Sequence, residues 1–349
     1  MCLRAHTNDS PNSESVAADR VKHLKLANEF IRLPLKFDAD RLAEEVLAFD
    51  SSEWMPHVQS YAGNSSIPLI SLNGEMNDDF NGPMKVTEKL QRSPYIRQIL
   101  ASFGEVFGRS RLMGLDGRCS VPEHRDVNYH WYSRVRIHIP VISNPDVLFY
   151  CGDTHVHMAP GEAWIFDSWQ RHRVENNSDQ FRVHLVIDTA GSPNFWHMVG
   201  ASEWRCAKQC RKPASVQDRV IPYAADFEGE IQTESYNAPL VMGPGEVDAL
   251  IMDIVSDLRA FSGNPAQQAQ MFEHAVQDFR YEWRRLWSIY GQSSAGWPHY
   301  ERLIKNVQMR MPRVQLTLAS NQGSATHTFG QRVLAAALSV SLAEQYGSR

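Results

Sequence analysis

The sequence predicts a β-sheet core of the sandwich or barrel type, followed by an α-helical C-terminal part. Short alternating runs separated by Gly, Pro, Asn and Asp extend from about residue 134 to residue 188, a spacing typical of all-β folds. After about residue 240, apolar residues instead recur at helical spacing. A chain of 349 residues is long enough for one large or two ordinary domains.

Four features are predicted ahead of the β region. Residues 1–19 are rich in Ser, Asn, Asp and Ala and are predicted to be disordered. Apolar residues on one face predict a short helix over residues 40–49, and a second helix is predicted at about 84–108. Between them, residues 71–83 are acidic and rich in turn formers, which indicates a long loop, and residues 73–81 within it are a candidate substrate loop.

The β region itself is predicted to contain five strands, at residues 134–142, 147–151, 155–159, 163–167 and 181–188. The first and last of them are apolar on one face, and each carries an Arg-x-His pair on the other. These pairs are Arg136 with His138, and Arg182 with His184. Two such strands indicate a polar pocket inside a β framework, whereas solvent-facing polar side chains would explain either strand alone.

Three helices are predicted after residue 240, at about 247–258, 266–290 and 329–346. Packing against the β core, or against a second copy in a homodimer, would each explain their apolar stripes. The segment before them is irregular. We therefore predict four regions: a disordered tail at 1–19, a β domain with N-terminal helices at 20–190, an irregular connection at 191–240 and an α-helical domain at 241–349.

The bulk composition argues against several classes of partner. A formal net charge of −5 and a pI near 6.3 disfavour general binding to nucleic acids or anionic membranes. No apolar run is long enough to span a bilayer, and the polar N-terminus has no signal-type apolar stretch, so a soluble cytoplasmic protein is expected. Five cysteines do not indicate a disulfide framework, and Cys206 and Cys210 are interpreted as reduced structural thiols in preference to a redox or zinc pair.

A candidate metal site begins at His124 and Asp126, which stand at positions i and i+2 and project from one face of an extended chain. An H-x-D pair alone is often only a solvated turn. His172, 48 residues further along the chain, is the best candidate for a third ligand. Two imidazoles and one carboxylate on one side of a metal leave three positions open, the arrangement of non-haem Fe(II) oxygenases.

Arg182 adds a second feature to this candidate site. It lies on the polar face of its predicted strand, where its planar guanidinium could hold a carboxylate through two hydrogen bonds. A metal chelated by a 2-oxo acid, with an arginine holding the distal carboxylate, is the arrangement that 2-oxoglutarate chemistry requires. The sequence therefore favours a 2-oxoglutarate-dependent enzyme.

The run from about Arg111 to Asp188 resembles the aspartyl/asparaginyl β-hydroxylase family, with its bacterial proline cis-4-hydroxylase relatives. The matching motifs stand in order: P-x-H-R-D ending at Asp126, R-x-R-x-H at 134–138, G-E-x-W-x-F-D at 161–167, His172, and F-R-x-H-L-V-x-D at 181–188.

This resemblance implies a double-stranded β-helix, the cupin-like jelly roll, with Fe(II) held by His124, Asp126 and His172. It also implies that Arg182 anchors the distal carboxylate of 2-oxoglutarate, and that Arg136 and His138 line the cosubstrate pocket. The expected reaction consumes O2 and 2-oxoglutarate, releases succinate and CO2, and hydroxylates an aliphatic C–H of an amino-acid-like substrate that is free, peptidyl or tethered.

Asp126 narrows the position of the chain within that family. The vertebrate aspartyl hydroxylase has a glycine there, so this chain is closer to the proline-hydroxylase pattern. A halogenase needs the position vacant for halide, and Asp126 therefore favours hydroxylation. Two other functions stay open: a cupin-type isomerase or dioxygenase that does not use 2-oxoglutarate, and a non-catalytic jelly-roll binding module.

Three further side chains are candidates for contact with substrate. Tyr129 and Trp131 follow the H-x-D motif and could cover the substrate, although core packing explains aromatic residues equally well. His184 shares the face of Arg182, where it could line the pocket or be an ordinary buried histidine. His155 and His157 form another one-face pair without a carboxylate and are interpreted as part of an exposed strand, not as a second metal site.

Overall fold

The computed structural model describes residue 26 and residues 28–56, 61–205 and 217–347. The predicted disordered tail at 1–19 and the thiols of Cys206 and Cys210 lie outside the described residues. No helix in these ranges is both long enough and apolar enough to cross a membrane.

The described part of the chain contains fifteen strands. In chain order they are β1 (Phe30–Phe37), β2 (Met55–Pro56), β3 (Asn64–Leu72), β4 (Met84–Val86), β5 (Val106–Leu115), β6 (Ser120–His124), β7 (Val135–Ile142), β8 (Val147–Cys151), β9 (Thr154–Val156), β10 (Glu162–Phe166), β11 (His172–Asn176), β12 (Arg182–Thr189), β13 (Glu203–Arg205), β14 (Arg219–Ile221) and β15 (Gln232–Thr233).

These strands form two sheets, whose order gives the double-stranded β-helix predicted from the sequence. The large sheet has eleven strands in the order β13-β1-β10-β7-β12-β5-β3-β2, with β14, β15 and β4 paired at its sides. The small sheet has the order β6-β11-β8-β9. Pairing is antiparallel except where β14 meets β1 and β15 meets β5. A shared apolar cluster, to which β1, β5 and β10 of the large sheet and β8 and β11 of the small one contribute, joins the two sheets face to face.

The helices lie outside this β core. They span Ala39–Leu47, Glu88–Gln91, Pro94–Phe103, Tyr129–Tyr132, Pro193–Gly200, Pro244–Arg259, Ala266–Tyr290, Trp297–Arg310, Ala325–Phe329, Ala335–Ala337 and Leu342–Gly347, with 3₁₀ turns at Ser51–Glu53 and Ser294–Gly296 and a π-helix at Gly330–Leu334.

The central strands alternate as the sequence predicts. On β7 and β12 the apolar residues, among them Ile137, Ile139 and Leu185, belong to the core beneath the N-terminal helices. The intervening side chains, such as His138 and Arg182, therefore project to the opposite face, between the two sheets. The polar pocket inferred from the Arg-x-His pattern thus lies inside the barrel.

Other predictions about single elements need correction. The helix predicted at 84–108 is wrong as one element, because Pro94 starts a separate helix and Gly104, at a φ of 66°, ends it before β5 begins. The last predicted helix, 329–346, is also interrupted. Its chain leaves the helix at Leu338, whose extended backbone forms a bridge with Val241.

The sequence prediction missed several strands and helices. Among the strands, β1, β3, β5, β6 and β11 lie outside the runs recognised by their alternation. Among the helices, Trp297–Arg310 was missed, and Pro193–Gly200 lies at the start of the segment that was predicted to be irregular. The prediction for helix 266–290 matches Ala266–Tyr290, and the helix predicted at 247–258 extends over Pro244–Arg259. The boundaries at 190 and 241 between the four predicted regions stay a prediction.

Candidate metal centre

The three predicted metal ligands meet at one end of the small sheet. His124 is the last residue of β6 and His172 is the first residue of β11, and the antiparallel register places the two opposite each other. Asp126 follows two residues after His124, and its backbone N–H donates to Ser168 O at 3.0 Å. One ligand atom from each of the three residues lies within 4.8 Å of the other two.

Hydrogen bonds to the backbone orient both imidazoles for metal binding. The Nδ1 atom of His124 lies 2.8 Å from Pro122 O, and that of His172 lies 2.9 Å from Gln170 O. A carbonyl oxygen can only accept, so each Nδ1 carries the proton and each Nε2 keeps its lone pair. Metal-bound histidines are held in this way in most metalloproteins.

The buried polar atoms of this cluster fit a divalent cation. His172 Nε2 and Asp126 Oδ2 are buried without a hydrogen-bond partner in the described part of the chain. They lie 3.8 Å apart, and burial lowers the pKa of His172 to about 4, which keeps the imidazole neutral at pH 7. Unpaired buried acceptors are costly unless a ligand satisfies them, and a metal ion would satisfy both.

A row of ring contacts leads from the triad into the barrel. Phe166 lies between His172 and His138, with ring centroids 4.9 Å and 5.3 Å away respectively. His138 in turn faces His184, their Nδ1 atoms being 3.4 Å apart, and both Nε2 atoms are buried without a partner among the described residues. Burial lowers the pKa of each of these two histidines well below the ordinary value.

Arg182 is buried beside this histidine pair and lacks a counter-ion. Its side chain is on the same face of β12 as His184, and it is 5% exposed. Within the described residues it forms no ion pair, and its Nε atom has no hydrogen-bond partner. Burial alone lowers its pKa to about 9, so it remains a cation at pH 7. A buried cation of this kind requires an anion that the described chain does not provide.

Arg136, which was predicted to line the cosubstrate pocket, lies beside Asp126. Its Nη1 lies 3.8 Å from Asp126 Oδ2, and its Nε donates to Asp188 Oδ1 at 3.4 Å. The guanidinium also stacks on Trp131, 3.9 Å from the ring centroid. Arg136 therefore borders the predicted metal ligand Asp126, whereas His138 lies deeper, toward Arg182.

Asp188 is a buried carboxylate that lies close to three basic side chains, and the sequence prediction did not assign it to the site. It accepts from Arg136 and from His130 Nε2, the latter at 3.3 Å, and lies 3.9 Å from Arg109 Nε. Burial acts to raise the pKa of Asp188, but the hydrogen bond from His130 and the charges of Arg136 and Arg109 outweigh it and lower the pKa to about 2. Asp188 is the last residue of the F-R-x-H-L-V-x-D motif, and that position in the motif could have indicated its place in the site.

The loop between β3 and β4 contributes a second carboxylate. Asp78 ion-pairs with Arg109, at 3.1 Å, and with Arg111, both of which are buried on β5. Phe80 on the same loop packs on His130, with ring centroids 4.9 Å apart. The polar loop predicted at 71–83 thus closes over the charged face of the sheet. The R-x-R alternation at 109–111, which points two arginines into the barrel, could have indicated this cluster.

Of the remaining predicted candidates, one lies at the site and the others lie away from it. Trp131 is 8% exposed and forms one wall of the charged cluster through Arg136. The hydroxyl of Tyr129 instead donates to Glu246 at 2.5 Å, at the start of a C-terminal helix, and the structure does not bring it to the triad. The ring of His155 lies 5.2 Å from that of Tyr150 on β8, and the described residues contain no second group of metal ligands.

Comparison with known proteins found one matching family and several relatives. Residues 43–191 match the sequence profile of the family described as Aspartyl/Asparaginyl beta-hydroxylase. L-proline cis-3-hydroxylase 1 of a Streptomyces species is 27% identical over 135 residues, 36% of this chain and 46% of the relative. L-proline cis-4-hydroxylase of Rhizobium meliloti (strain 1021) is 23% identical over 199 residues, 54% of this chain and 67% of the relative.

The chain thus spans about half the length of the first of these relatives and two thirds of the second. Among solved structures, an oxidoreductase of the 2OG-Fe(II) oxygenase family from Burkholderia pseudomallei is 14% identical, with a TM-score of 0.35 over 54% of this chain and 96% of that one.

Proposed function

We propose, on the premise that residues 43–191 resemble the Aspartyl/Asparaginyl beta-hydroxylase family, that this protein is an Fe(II)/2-oxoglutarate-dependent dioxygenase. It hydroxylates an aliphatic C–H of an amino-acid-like substrate. The observation that carries the proposal is Arg182, a buried arginine without a counter-ion in the described chain, on the inner face that leads to the metal triad.

Arg182 supports 2-oxoglutarate over other metal chemistry. A cupin enzyme that does not bind a dicarboxylate has no use for an unpaired cation in its interior, and such a cation costs folding free energy. The distal carboxylate of 2-oxoglutarate would supply the missing anion through two charge-assisted hydrogen bonds. The two unpartnered Nε2 atoms of His138 and His184 lie beside it and would complete the polar lining.

The triad supports Fe(II). His124, Asp126 and His172 would hold the ion from one side and leave room for the 2-oxo acid and for O2. Fe(II) with 2-oxoglutarate and O2 supplies the chemistry of this site: loss of CO2, formation of succinate and insertion of one oxygen atom into a C–H bond. Asp126 completes the carboxylate-containing ligand set of a hydroxylase.

The side chains around the triad position the reactants and supply charge next to them. Arg136, stacked on Trp131, stands next to Asp126 and so limits how that carboxylate can rotate. Phe166 and Phe149 pack edge-on against His138 and give the inner face beside it an apolar lining. Holding reactants in register in a dry pocket is the main contribution of the protein in cofactor enzymes.

An amino-acid-like substrate fits the charged cluster beside the triad. Arg109, Arg111 and Arg136 alternate there with Asp78 and Asp188, so a molecule with both ammonium and carboxylate groups would meet both signs of charge. The two relatives are named as hydroxylases of L-proline. Proline or a related amino acid is therefore the first substrate class to test.

Anaerobic addition of Fe(II) and 2-oxoglutarate to the full chain tests the proposal. We expect a weak visible metal-to-ligand charge-transfer band, and succinate release when O2 and a substrate from an amino-acid and dipeptide set are added. Arg182→Met should bind Fe(II) yet lose the band at the same 2-oxoglutarate concentration. A folded wild-type protein that binds Fe(II) and shows no band would overturn the assignment and favour a cupin enzyme that does not use 2-oxoglutarate.

A further inference from the structure

Two residues of the C-terminal helical region contact both of the segments that carry the metal ligands. One segment, residues 124–127, contains His124 and Asp126. The other, residues 169–172, ends at His172. The contacting residues, Asn321 and Arg332, are nearly 200 positions or more away from the first segment in sequence. They are 3% and 1% exposed, respectively.

Asn321 joins the two segments through two hydrogen bonds, and a third hydrogen bond within its own turn holds its side chain in place. Its backbone oxygen accepts from Arg125 Nε at 2.9 Å, and Arg125 stands between the two ligands of the first segment. Its side-chain Nδ2 donates to Trp169 O at 3.1 Å, at the start of the second segment. Its Oδ1 accepts from Gly323 N at 2.8 Å, which fixes the amide orientation. The turn that holds Asn321 is tight, with Gln322 at a φ of 57°.

The neighbouring Ser320 extends the same contact toward His172. Gln170 Nε2 donates to Ser320 O at 3.0 Å, while the backbone oxygen of Gln170 accepts the proton of His172 Nδ1 at 2.9 Å. Trp169 Nε1 donates to Ser320 Oγ at 2.7 Å. The backbone carbonyl that orients the His172 ring belongs to Gln170. The C-terminal turn holds this residue through its own side chain and through the neighbouring Trp169.

Arg332 makes the second bridge between the segments. Its Nε donates to Val127 O at 3.3 Å, directly after Asp126, and its guanidinium lies over Trp169, 4.3 Å from the ring centroid. Its other face covers Tyr132 at 4.6 Å, and Asp253 balances its charge. Arg332 is part of the π-helix Gly330–Leu334, a rare helix form that is frequent at functional sites.

We propose that Asn321 and Arg332 are positioning residues of the metal centre, which set the spacing between His124 and Asp126 on one segment and His172 on the other. The inference rests on the metal site of the proposed function and not on the use of 2-oxoglutarate. It makes the C-terminal helical region a part of the metal centre, although that region supplies no ligand among the described residues.

The chain provides a matched control for Asn321. Asn264 is in the same helical region, and its amide also donates to backbone carbonyls, those of Leu258 and Thr317, at 3.2 Å and 2.9 Å. Its Oδ1 accepts from Thr317 N at 2.7 Å. Asn→Asp at either position removes the donor and keeps the acceptor, but only Asn321 contacts the ligand segments.

Titration of the metal-free full chain with Co(II) alone tests the inference. Loss of a residue that orients a metal ligand typically weakens metal binding about 10- to 100-fold. We expect a loss of this size and an altered visible Co(II) spectrum for Asn321→Asp, with wild-type affinity and spectrum for Asn264→Asp. The negative charge that the Asn321→Asp substitution adds would by itself favour a cation, so weaker binding reports changed geometry.

A second pair of variants tests the same inference without using the Asn321→Asp substitution. Arg332→Lys retains the charge facing Asp253 but loses the planar group that stacks on Trp169 and Tyr132. Arg280→Lys makes the same change at an arginine that bonds Asp248 inside the helical region. We expect weaker Co(II) binding for the first of these variants only.

The inference is overturned if folded Asn321→Asp and Arg332→Lys bind Co(II) like the wild type, or if each control variant loses as much affinity as its partner. A wild-type chain that binds no Co(II) would overturn the metal site itself. Co(II) binding without a 2-oxoglutarate charge-transfer band in the Fe(II) experiment would overturn only the proposed activity.

Discussion

His172 lies directly opposite His124 across β6 and β11, with ring centroids 4.2 Å apart and both Nδ1 atoms turned to backbone carbonyls. The pairing of the strands, and not a local sequence motif, brings these two imidazoles together. A metal ion bound at this point would link the two strands through side chains. Binding and strand pairing should therefore stabilise each other.

Metal binding should raise the thermal stability of the protein, and Asp126→Ala should abolish this effect. Removing one of three ligands leaves two imidazoles, which hold a divalent ion far less tightly, and we expect a loss of at least about 100-fold in Co(II) affinity. Calorimetric titration and the melting temperature with and without Co(II) measure the two effects. Asp146→Ala, at an exposed position of the same β core, is the control and should behave as the wild type. Unchanged Co(II) binding in Asp126→Ala would argue against the triad.

Alternation and motif spacing in the sequence were enough to predict the β core and the inward direction of His138 and Arg182. The period of two fixes which residues share a face, and this period is visible wherever one face is apolar. The same reasoning could not detect β3 or β5. Both faces of these strands are largely buried, and Ser, Gly, Asn and Arg are mixed with the apolar residues, so no apolar alternation is visible.

The charged cluster was not predictable in the same way. Asp78 reaches Arg109 and Arg111 from a loop, and no sequence period constrains where a loop folds. The link from the C-terminal region to the metal centre is likewise a contact over long sequence distance, with Asn321 and Trp169 being 152 positions apart. Such contacts depend on packing of whole elements, which a local pattern does not specify.

Arg182→Met should lose affinity for 2-oxoglutarate and gain stability in its absence. The substitution removes a buried cation that has no counter-ion among the described residues, and replacing such a charge with an apolar side chain of similar length stabilises by about 1 kcal/mol or more. Urea unfolding without cosubstrate measures this gain. With 2-oxoglutarate present, the wild type should gain stability and the variant should not.

Arg118→Met provides the comparison for that experiment, because Arg118 is exposed and pairs with Asp179 on the surface. Its loss should leave both stability and 2-oxoglutarate binding nearly unchanged. If Arg182→Met instead destabilises the protein and still binds 2-oxoglutarate, the guanidinium has a structural role.

The buried His130 should make the free energy of unfolding depend on pH between about 6.5 and 4. Burial lowers its pKa to about 4 in the folded protein, against about 6.5 in an unfolded chain. As the pH falls through this range, the unfolded chain takes up a proton that the folded one does not, so stability declines. His130→Gln keeps a donor for Asp188 and removes the titration.

Comparing the wild type with His130→Gln separates the titration of His130 from that of the other buried histidines. We expect the slope of stability against pH to be shallower in His130→Gln by about one proton, measured by urea unfolding at several pH values between about 4.5 and 6. Parallel slopes for the two proteins would show that His130 does not stay neutral in the folded state.

Asp78 should stabilise the closed position of its loop through Arg109 and Arg111. Removing one partner of a buried ion pair leaves an uncompensated charge and costs about 3–5 kcal/mol, and here two buried arginines lose a shared carboxylate. Asp78→Asn should therefore lower the free energy of unfolding by at least a few kcal/mol and expose the loop to proteolysis, while Asp79→Asn at the exposed neighbouring position should change neither. The double variant Asp78→Asn with Arg111→Met should recover part of the loss, because it removes the arginine that has no other ion pair among the described residues, whereas Arg109 keeps Asp188 at 3.9 Å. An equal loss in the double and the single variant would show that the loop is held by Phe80 and the backbone, and not by its carboxylate.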